Sequence, residues 1–482
     1  MRHSLSASHP SPAAALTGGV TGAMAPPPPA FPPEAPLGET LAAMAEARAS
    51  AVLAVDADGR PIGILTEQDV ARRIAFRLPP EAPLAAAMTA PVISCTEDAG
   101  LWRAVALLRA GHLRHLPVLD PDGRCCGMLH RSETLAAVSG RLLGHLDALA
   151  GDDVAVKRAQ AGVATALLGE GVPARDLVGL VSGINVELHR RVLDRVLAAH
   201  APPPLRFTLL VMGSAGRGES LLRPDQDNGL ILEDYPDAEH DRVDAWFRAF
   251  AEDFNRRLEQ AGFPLCPGGI MAMNPLWRKT LPQWRRQFEH WAMKRTGAAL
   301  LFSDIAFDFR AAAGDPAPAE ALRAHLGRVL GASPALLAAM AAQNQSLTVG
   351  LTLWGGFADN EPGPGTRTDF KLHGLMPLVA AARLMALRDG IAATGTLDRL
   401  AALAARGTLS AREAADLTEA FDLLLDTVLR QQLADHAAGL EPGNLVDTAP
   451  LPRAERAQLR DALKAVRSFS RGSFGSFTGQ IW

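Results

Sequence analysis

Apolar and polar positions follow three different rhythms along this chain. In the first third, short apolar runs come in pairs around an Asp-Gly step. Val55-Asp56-Ala57-Asp58-Gly59-Arg60 leads into Pro61-Ile62-Gly63-Ile64-Leu65, and Leu119-Asp120-Pro121-Asp122-Gly123-Arg124 leads into Cys125-Cys126-Gly127-Met128-Leu129. Asp-Gly between apolar runs is a hairpin signal, because such tight turns need a positive φ. A helical segment precedes each hairpin, Leu41 to Arg48 and Leu101 to Ala110. The second rhythm is helical: Leu177, Val178, Val181, Ile184 and Leu188 place one apolar face within a helical stretch at 141–200. Pro202 to Pro204 ends it, and Phe207 to Met212 reads as a short buried strand. From 320 onward the pattern is helical and rich in Ala and Leu, with segments at Leu378–Leu387, Ala411–Leu433 and Arg453–Val466. Two stretches carry no rhythm. The Pro/Ala-rich residues 1–36 read as a disordered or polyproline-like tail, and Ser468 to Trp482 reads as loosely ordered.

The paired hairpins lie 64 residues apart and form an internal repeat over 37–140. One such unit cannot cover its own apolar face, so the two are expected to pack together.

The candidate chemistry lies immediately after the strand at 207–212. Gly213-Ser214-Ala215-Gly216-Arg217-Gly218-Glu219 is followed by Asp225-Gln226-Asp227-Asn228 and a second apolar run to Leu232. Glycines after a strand let backbone N–H groups approach phosphate oxygens, and Ser214 adds a hydroxyl. Asp225 and Asp227 are one residue apart, so on an extended segment both carboxylates point to one face. Carboxylates converging beside a phosphate cradle suit hard divalent cations, and two such ions can activate an attacking oxygen and stabilise a leaving pyrophosphate. Other motifs fail here. An EF-hand loop would need Asp where Gly229 stands and Gly where Leu230 stands, no Gly-Lys-Ser/Thr occurs, and glycines at 213, 216 and 218 do not make Gly-x-Gly-x-x-Gly. A plain loop with an Asx turn is the bland alternative.

Composition narrows the function classes. The 48 basic and 52 acidic residues nearly cancel, which gives nucleic-acid binding no support. Cys95, Cys125, Cys126 and Cys266 form no metal-ligand spacing and read as free thiols. The longest apolar candidate, Gly374 to Leu387, is broken by Pro377 and Arg383, so no membrane span is expected and the protein should be cytoplasmic.

Three resemblances join these parts. The hairpin-plus-helix tandem resembles a pair of CBS domains. In that family a Gly-x-x-Thr-x-x-Asp segment holds adenosine nucleotides, which implies Thr66 and Asp69 as ligands for AMP, ADP or ATP in the first copy. The second copy departs from the pattern with His130 and Glu133. Thr66 and Asp69 equally fit a helix cap, and the pair then has a structural or dimerising role, with a homodimer expected.

Gly-Ser-x-Gly-Arg-Gly-Glu with Asp-Gln-Asp-Asn resembles the PII-uridylyltransferase-type branch of the polymerase-β-like nucleotidyltransferases. It implies that Gly213, Ser214 and Gly216 hold a nucleoside triphosphate and that Asp225 and Asp227 hold Mg²⁺. Arg217 either pairs with phosphate or forms a structural salt bridge. Phe307-Asp308-Phe309-Arg310 with Gly314-Asp315 resembles the stretch carrying a third carboxylate, so Asp308 either completes the site, ahead of Asp304, or pairs with an arginine.

Cys266 to Arg278 and the helices after 320 resemble a bacterial family that joins CBS repeats to this transferase and a substrate-binding helical domain. Lys371, His373 and Arg383 could face its cleft. The expected architecture is α/β and multidomain: a tandem CBS pair at 37–140, a helical lead-in at 141–200, a nucleotidyltransferase α/β core at 201–316 and a C-terminal helical bundle at 320–482. The expected reaction moves a nucleoside monophosphate to a hydroxyl, with a PII-like protein as acceptor. A nucleotide sensor of little activity and a small-molecule nucleotidyltransferase are the alternatives.

Overall fold

A computed structural model describes residues 19–75, 77–136, 151–295, 297–352, 354–359 and 367–479. The chain divides into two compact bodies, residues 1–159 and 160–482.

The first body holds two three-stranded sheets. Strands β1 (Ala30–Phe31), β2 (Ala51–Val55) and β3 (Pro61–Thr66) form one, and β4 (Cys95–Thr96), β5 (His115–Leu119) and β6 (Cys125–His130) form the other. Each Asp-Gly hairpin is present. Gly59 and Gly123 sit at φ +81° and +80°, where a Cβ would be strained. Asp56 and Asp120 each turn a carboxylate back to accept from the backbone N–H of Arg60 and Arg124, at 2.9 and 2.8 Å. The two tips clasp each other: Arg60 Nε donates to Asp122 O and Arg124 Nε to Asp58 O. The helix expected at Leu101–Ala110 has those bounds.

The repeat reaches further back than the hairpins suggest. Residues 19–36, expected as a disordered tail, are built into the fold; residues 1–18 lie outside the described residues. Ala25 and Met128 exchange two backbone hydrogen bonds, just as Ile64 and Thr89 do, and β1 pairs in parallel with β2. Val20 and Leu84 are both fully buried. Met24 covers Gly127 and Met88 covers Gly63 so closely that a Cβ on either glycine would meet sulfur at 2.4 Å. Val20/Leu84 and Met24/Met88 stand at the same 64-residue offset as the hairpins. Each repeat thus opens with an apolar lead segment, and the prolines of the first suit its extended path.

The second body is built on a mixed sheet in the order β10-β7-β8-β9, from β7 (Phe207–Val211), β8 (Asn228–Leu232), β9 (Arg278–Thr280) and β10 (Arg310–Ala313). β7 lies antiparallel to β8 and β10, and β8 lies parallel to β9. The helical lead-in appears as Ala174–Ala199, which packs on the helix His240–Gln260. Helix Leu281–Lys294 starts at a capping box between Thr280 and Gln283 and lies against the sheet. Its Trp284 indole donates to Leu230 O at 2.9 Å, and Trp284, Phe288 and Trp291 join Trp277 and Phe307 in one aromatic core.

Helices Met376–Arg388, Thr396–Ala405, Ala411–Ala437 and Arg453–Thr478 form the C-terminal bundle, beside a two-stranded ribbon of β11 (Arg367–Asp369) and β12 (Leu445–Asp447). The stretch from Ser468, expected to be loose, is helical to Thr478; residues 480–482 lie outside the described residues. Ser470, Ser473 and Phe474 continue the buried face of the helix, which packs on the helix Pro334–Asn344. Small residues there permit close approach, which composition alone reads as disorder. No described helix is long and apolar enough to cross a membrane.

This packing gives a direct test. Phe474 is 3% exposed. Phe474→Ala should therefore cost about 3–5 kcal/mol in urea unfolding. A change below about 0.5 kcal/mol, as expected of a surface position, would mean that the last helix does not pack.

Candidate active site

After β7, Met212 continues in an extended conformation, and Gly213 turns the chain at φ +58° into the short helix Gly213–Arg217. Gly218, at φ +74°, closes that helix in the left-handed region. The first N–H groups of a helix have no partner within it, and here they follow the tip of a central strand. Space forces two of the glycines. A Cβ on Gly213 would come within 2.8 Å of Asp227 Oδ2, and one on Gly216 within 1.9 Å of Asp308 O.

The Asp pair enters β8 directly beside this turn, with Met212 N–H donating to Asp227 O at 2.8 Å. Asp225 is exposed, Gln226 is fully buried and Asp227 is half-buried, so the two carboxylates share the side opposite the glutamine. Gln226 is the anchor. Its Nε2 donates to Asn255 O and Phe263 O, and its Oε1 accepts from Asn255 Nδ2 at 2.9 Å. Asn255 also donates to Asn228 Oδ1, which accepts a second bond from Ala272 N–H.

The segment Cys266–Arg278 thereby acquires a role. Ile270 O accepts from Asn228 N–H, and Asn255 Oδ1 accepts from Met273 N–H. Asn274 caps the turn that follows and donates to Gly269 O. The segment is a brace behind the Asp pair. Its signal was the polar Gln226 between two aspartates, a residue whose buried amide needs several partners.

Asp227 carries the marks of a ligand without a partner. Its Oδ1 is shielded from solvent and has no hydrogen-bond partner. Burial pushes its carboxyl up to about 6, with Asp225 adding to the rise, while the Cys266 thiol, Arg217 and Lys371 oppose it. Cys266 is itself raised to about 11 by burial and Asp227, which makes it a hydrogen-bond donor and no nucleophile. Lys371 was expected at most to face the cleft; it acts electrostatically on Asp227. Two carboxylates, one with an unsatisfied oxygen, fit a hard cation such as Mg²⁺, which takes its remaining ligands from water and phosphate. No group of three or more His, Cys, Asp or Glu able to hold a metal occurs among the described residues.

Asp308 departs from the expected ligand set, and the ion-pair reading is the one the geometry takes. Asp308 is fully buried, with Oδ2 bound by Arg383 at 2.9 Å and Arg217 at 3.0 Å, and Oδ1 by Arg399 at 2.5 Å. Burial alone would raise its pKa, but Arg383, Arg399 and Arg217 hold it well below the usual carboxylate range. Both oxygens are bound by arginines, and the three guanidinium groups neutralise its charge. Arg217 is likewise engaged, by Asp308 and by Glu219 at 2.7 Å. Asp304 joins the cluster through Arg383 at 3.0 Å.

Thr66 and Asp69 belong to the first body. They form a capping box, Thr66 Oγ1 to Asp69 Oδ2 at 2.7 Å, with Arg73 at 3.3 Å from Asp69 Oδ1. In the second repeat, His130 stands edge-on to His115 at 5.2 Å.

Comparison with known proteins follows this geometry. The family described as "Putative nucleotidyltransferase DUF294" matches residues 158–298, its "Putative nucleotidyltransferase substrate binding domain" matches 334–473, and the CBS domain matches 20–76 and 84–140. An uncharacterized 17.7 kDa protein of Acidianus ambivalens is 27% identical over 97 residues, 20% of this chain and 58% of that protein. An uncharacterized protein of Methanopyrus kandleri is 31% identical over 94 residues, 19% of this chain and 48% of that protein. The chain thus spans about half the length of these curated relatives. Among solved structures, a CBS domain protein from Pyrobaculum aerophilum complexed with AMP is 22% identical, with a TM-score of 0.23, covering 24% of this chain and 89% of that one. The chain belongs to the family that joins a CBS domain pair to this nucleotidyltransferase domain and its C-terminal substrate-binding domain.

Proposed function

We propose that the second body is a Mg²⁺-dependent nucleotidyltransferase that passes a nucleoside monophosphate from a triphosphate to a hydroxyl acceptor. The observation that carries this reading is the shielded, unpartnered Asp227 Oδ1 beside Asp225, against the Gly213-Ser214 turn. The turn binds phosphate oxygens through backbone N–H groups and the Ser214 hydroxyl, with Gly216 allowing close approach. Bound Mg²⁺ supplies charge neutralisation at the α-phosphate and at the leaving pyrophosphate. Asp225 and Asp227 hold it, and the Gln226–Asn255–Asn228 brace keeps both on one face. Lys371 contributes positive charge from the C-terminal domain. The acceptor oxygen bonds to the α-phosphorus as its proton passes to solvent, the bond from the α-phosphorus to the α,β-bridging oxygen breaks, and pyrophosphate leaves with that oxygen.

The acceptor reading is a PII-like protein bound by the C-terminal helical domain, with uridylyl as the transferred group. A region of 140 residues (334–473) matched as substrate-binding is larger than a small sugar or drug requires. A protein acceptor needs a face of roughly 800 Å² per partner. Mass spectrometry of the host PII protein, with and without the enzyme, should reveal an added nucleoside monophosphate. Label entering a small molecule while PII stays unmodified overturns this acceptor.

One observation favours a second reading, a nucleotide sensor with little turnover: the third carboxylate, Asp308, is committed to arginines. Transfer of radiolabel from each of the four triphosphates in lysate with Mg²⁺ separates the two. We expect transfer, and we expect Asp225→Asn and Asp227→Asn each to reduce it at least ~10²-fold with the fold intact. Full activity in either variant removes the metal assignment. Asp308→Asn should instead cost about 3–5 kcal/mol of stability, because it leaves buried guanidinium groups without their anion; an unchanged denaturation midpoint would contradict the ion-cluster role.

For the CBS pair we propose that AMP, ADP or ATP binds the first repeat through Gly63, Thr66 and Asp69. Support comes from the intact Gly63, Thr66 and Asp69 pattern there, against the second copy, where His130 and Glu133 stand at the matching positions. Calorimetry on the full chain should show adenine-nucleotide binding that weakens about tenfold in Asp69→Ala, the loss of one charge-assisted contact. An absence of heat with all three nucleotides leaves the pair structural or dimerising.

A further inference from the structure

A second cavity lies on the same sheet, at the other end of β8 from the Asp pair. Asp227 precedes the first residue of β8 and Leu232 ends it, so the strand separates the two places by about 17 Å. The cavity encloses about 620 Å³ beyond Leu232. Its floor is Arg278 and Lys279 of β9. One wall is a single face of the helix Leu281–Lys294, carrying Gln283, Arg286, Gln287 and His290 at helical spacing. The other comes from Tyr235, His240 and Asp244.

Charge is unevenly distributed in this space. Asp244 is the one acid in the lining, and it is already bound to the buried Arg278 at 2.8 Å. The acids acting on Tyr235 are Asp244, Asp237 and Asp234. The side chains of Lys279 and Arg286 have no hydrogen-bond or ion-pair partner among the described residues. They lie close enough that Arg286, after burial, lowers the Lys279 pKa. The half-buried Lys279 and the exposed Arg286 repel each other, and an anion between them relieves that repulsion. Amide donors from Gln283 and Gln287 flank the same surface. Tyr235 is the only tyrosine of the chain and stacks on His240 at 6.3 Å. A concave site of several hundred Å³ is sized for a small molecule.

We propose that this cavity, between β9, the Leu281–Lys294 helix and Tyr235, binds a small anion carrying adjacent phosphate groups, held by Lys279 and Arg286. The site is separate from the Asp pair and stands whether or not that pair holds a metal. It reaches the transferase centre through the protein. Arg278 donates to Asp244 and also to Ala272 O and Met273 O, whose own N–H groups bind Asn228 and Asn255 beside Gln226.

The test uses the full chain, inorganic tripolyphosphate and EDTA. Without a divalent cation, Asp225 and Asp227 repel a polyphosphate, so binding there is suppressed while the cationic cavity is unaffected. Calorimetry should show an equivalent of tripolyphosphate that weakens with added salt. The Lys279→Ala/Arg286→Ala double variant should lose that equivalent, or bind it at least about tenfold more weakly. Asp225→Asn/Asp227→Asn should retain it. Arg286 is exposed, so Arg286→Glu alone, checked for an unchanged melting temperature, repeats the test without disturbing the core. The ATP equivalent lost in the Lys279→Ala/Arg286→Ala variant, which sets it apart from nucleotide at the CBS pair, distinguishes the ligand: affinity equal to tripolyphosphate points to the phosphates alone, and tighter binding to a nucleotide. No binding in EDTA, or binding unchanged in the double variant and in Arg286→Glu, overturns the proposal.

Discussion

The buried carboxylate of Asp308 is the constraint on which the second body depends. A lone carboxylate taken from water costs several kcal/mol even after relaxation. Here three guanidinium groups from three elements converge on it: Arg217 from the Gly-Ser turn, Arg383 from the helix Met376–Arg388 and Arg399 from the helix Thr396–Ala405. None of those elements can shift alone without stranding a charge. The backbone is equally committed, since Gly216 lies against Asp308 O with no room for a side chain. Further bonds repeat the connection, from Thr394 Oγ1 to Gly216 O and from Thr396 N–H to Glu219. The C-terminal helices are therefore part of what shapes the Gly213-Ser214 turn.

Asp308 and Asp227 are both shielded carboxylates, and their surroundings drive them in opposite directions. Asp308 meets three cations and is held ionised far below the usual range. Asp227 meets another carboxylate and a thiol, keeps one oxygen without a partner, and rises to about 6. The first is a satisfied structural anion. The second is a deficit of positive charge, the state expected of a residue whose partner is a cation brought by substrate. Burial is common to the two, so burial alone does not tell a satisfied carboxylate from one left short of a partner; the neighbours do.

What could be read in the sequence was local. Asp-Gly turns, a strand ending in Gly213-Ser214, and the alternation of Asp225, Gln226 and Asp227 each depend on neighbouring residues, and each was legible. The role of Asp308 depends on Arg383 and Arg399, 75 and 91 residues away, so its motif context pointed to a metal site. The same reason hid the brace of Cys266–Arg278, whose partners are Asn228 and Asn255. Two misreadings came from composition. Prolines at 26–33 and the Gly/Ser-rich stretch after 468 resemble disorder, yet the former suit an extended lead segment and the latter a helix packed at close range. The lead segment did carry a signal, Val20 and Met24 recurring as Leu84 and Met88 at the hairpin offset.

β8 also divides the second body electrostatically. Acidic groups gather where the strand begins, at Asp225 and Asp227, and cationic groups gather where it ends, on β9 and the helix that follows. A single row of five buried residues, Asn228 to Leu232, holds the two apart. Arg278 is the residue that belongs to both ends. Its guanidinium is buried, it is neutralised by Asp244 on the cationic side, and its Nη1 donates to the carbonyls of Ala272 and Met273 in the loop that braces the Asp pair. A guanidinium has five N–H donors in a rigid fork, so satisfying one side fixes the direction of the others. Through those bonds Arg278 ties the floor of the cavity to the loop whose N–H groups bind Asn228 and Asn255, and through Asn255 to Gln226 between the two aspartates.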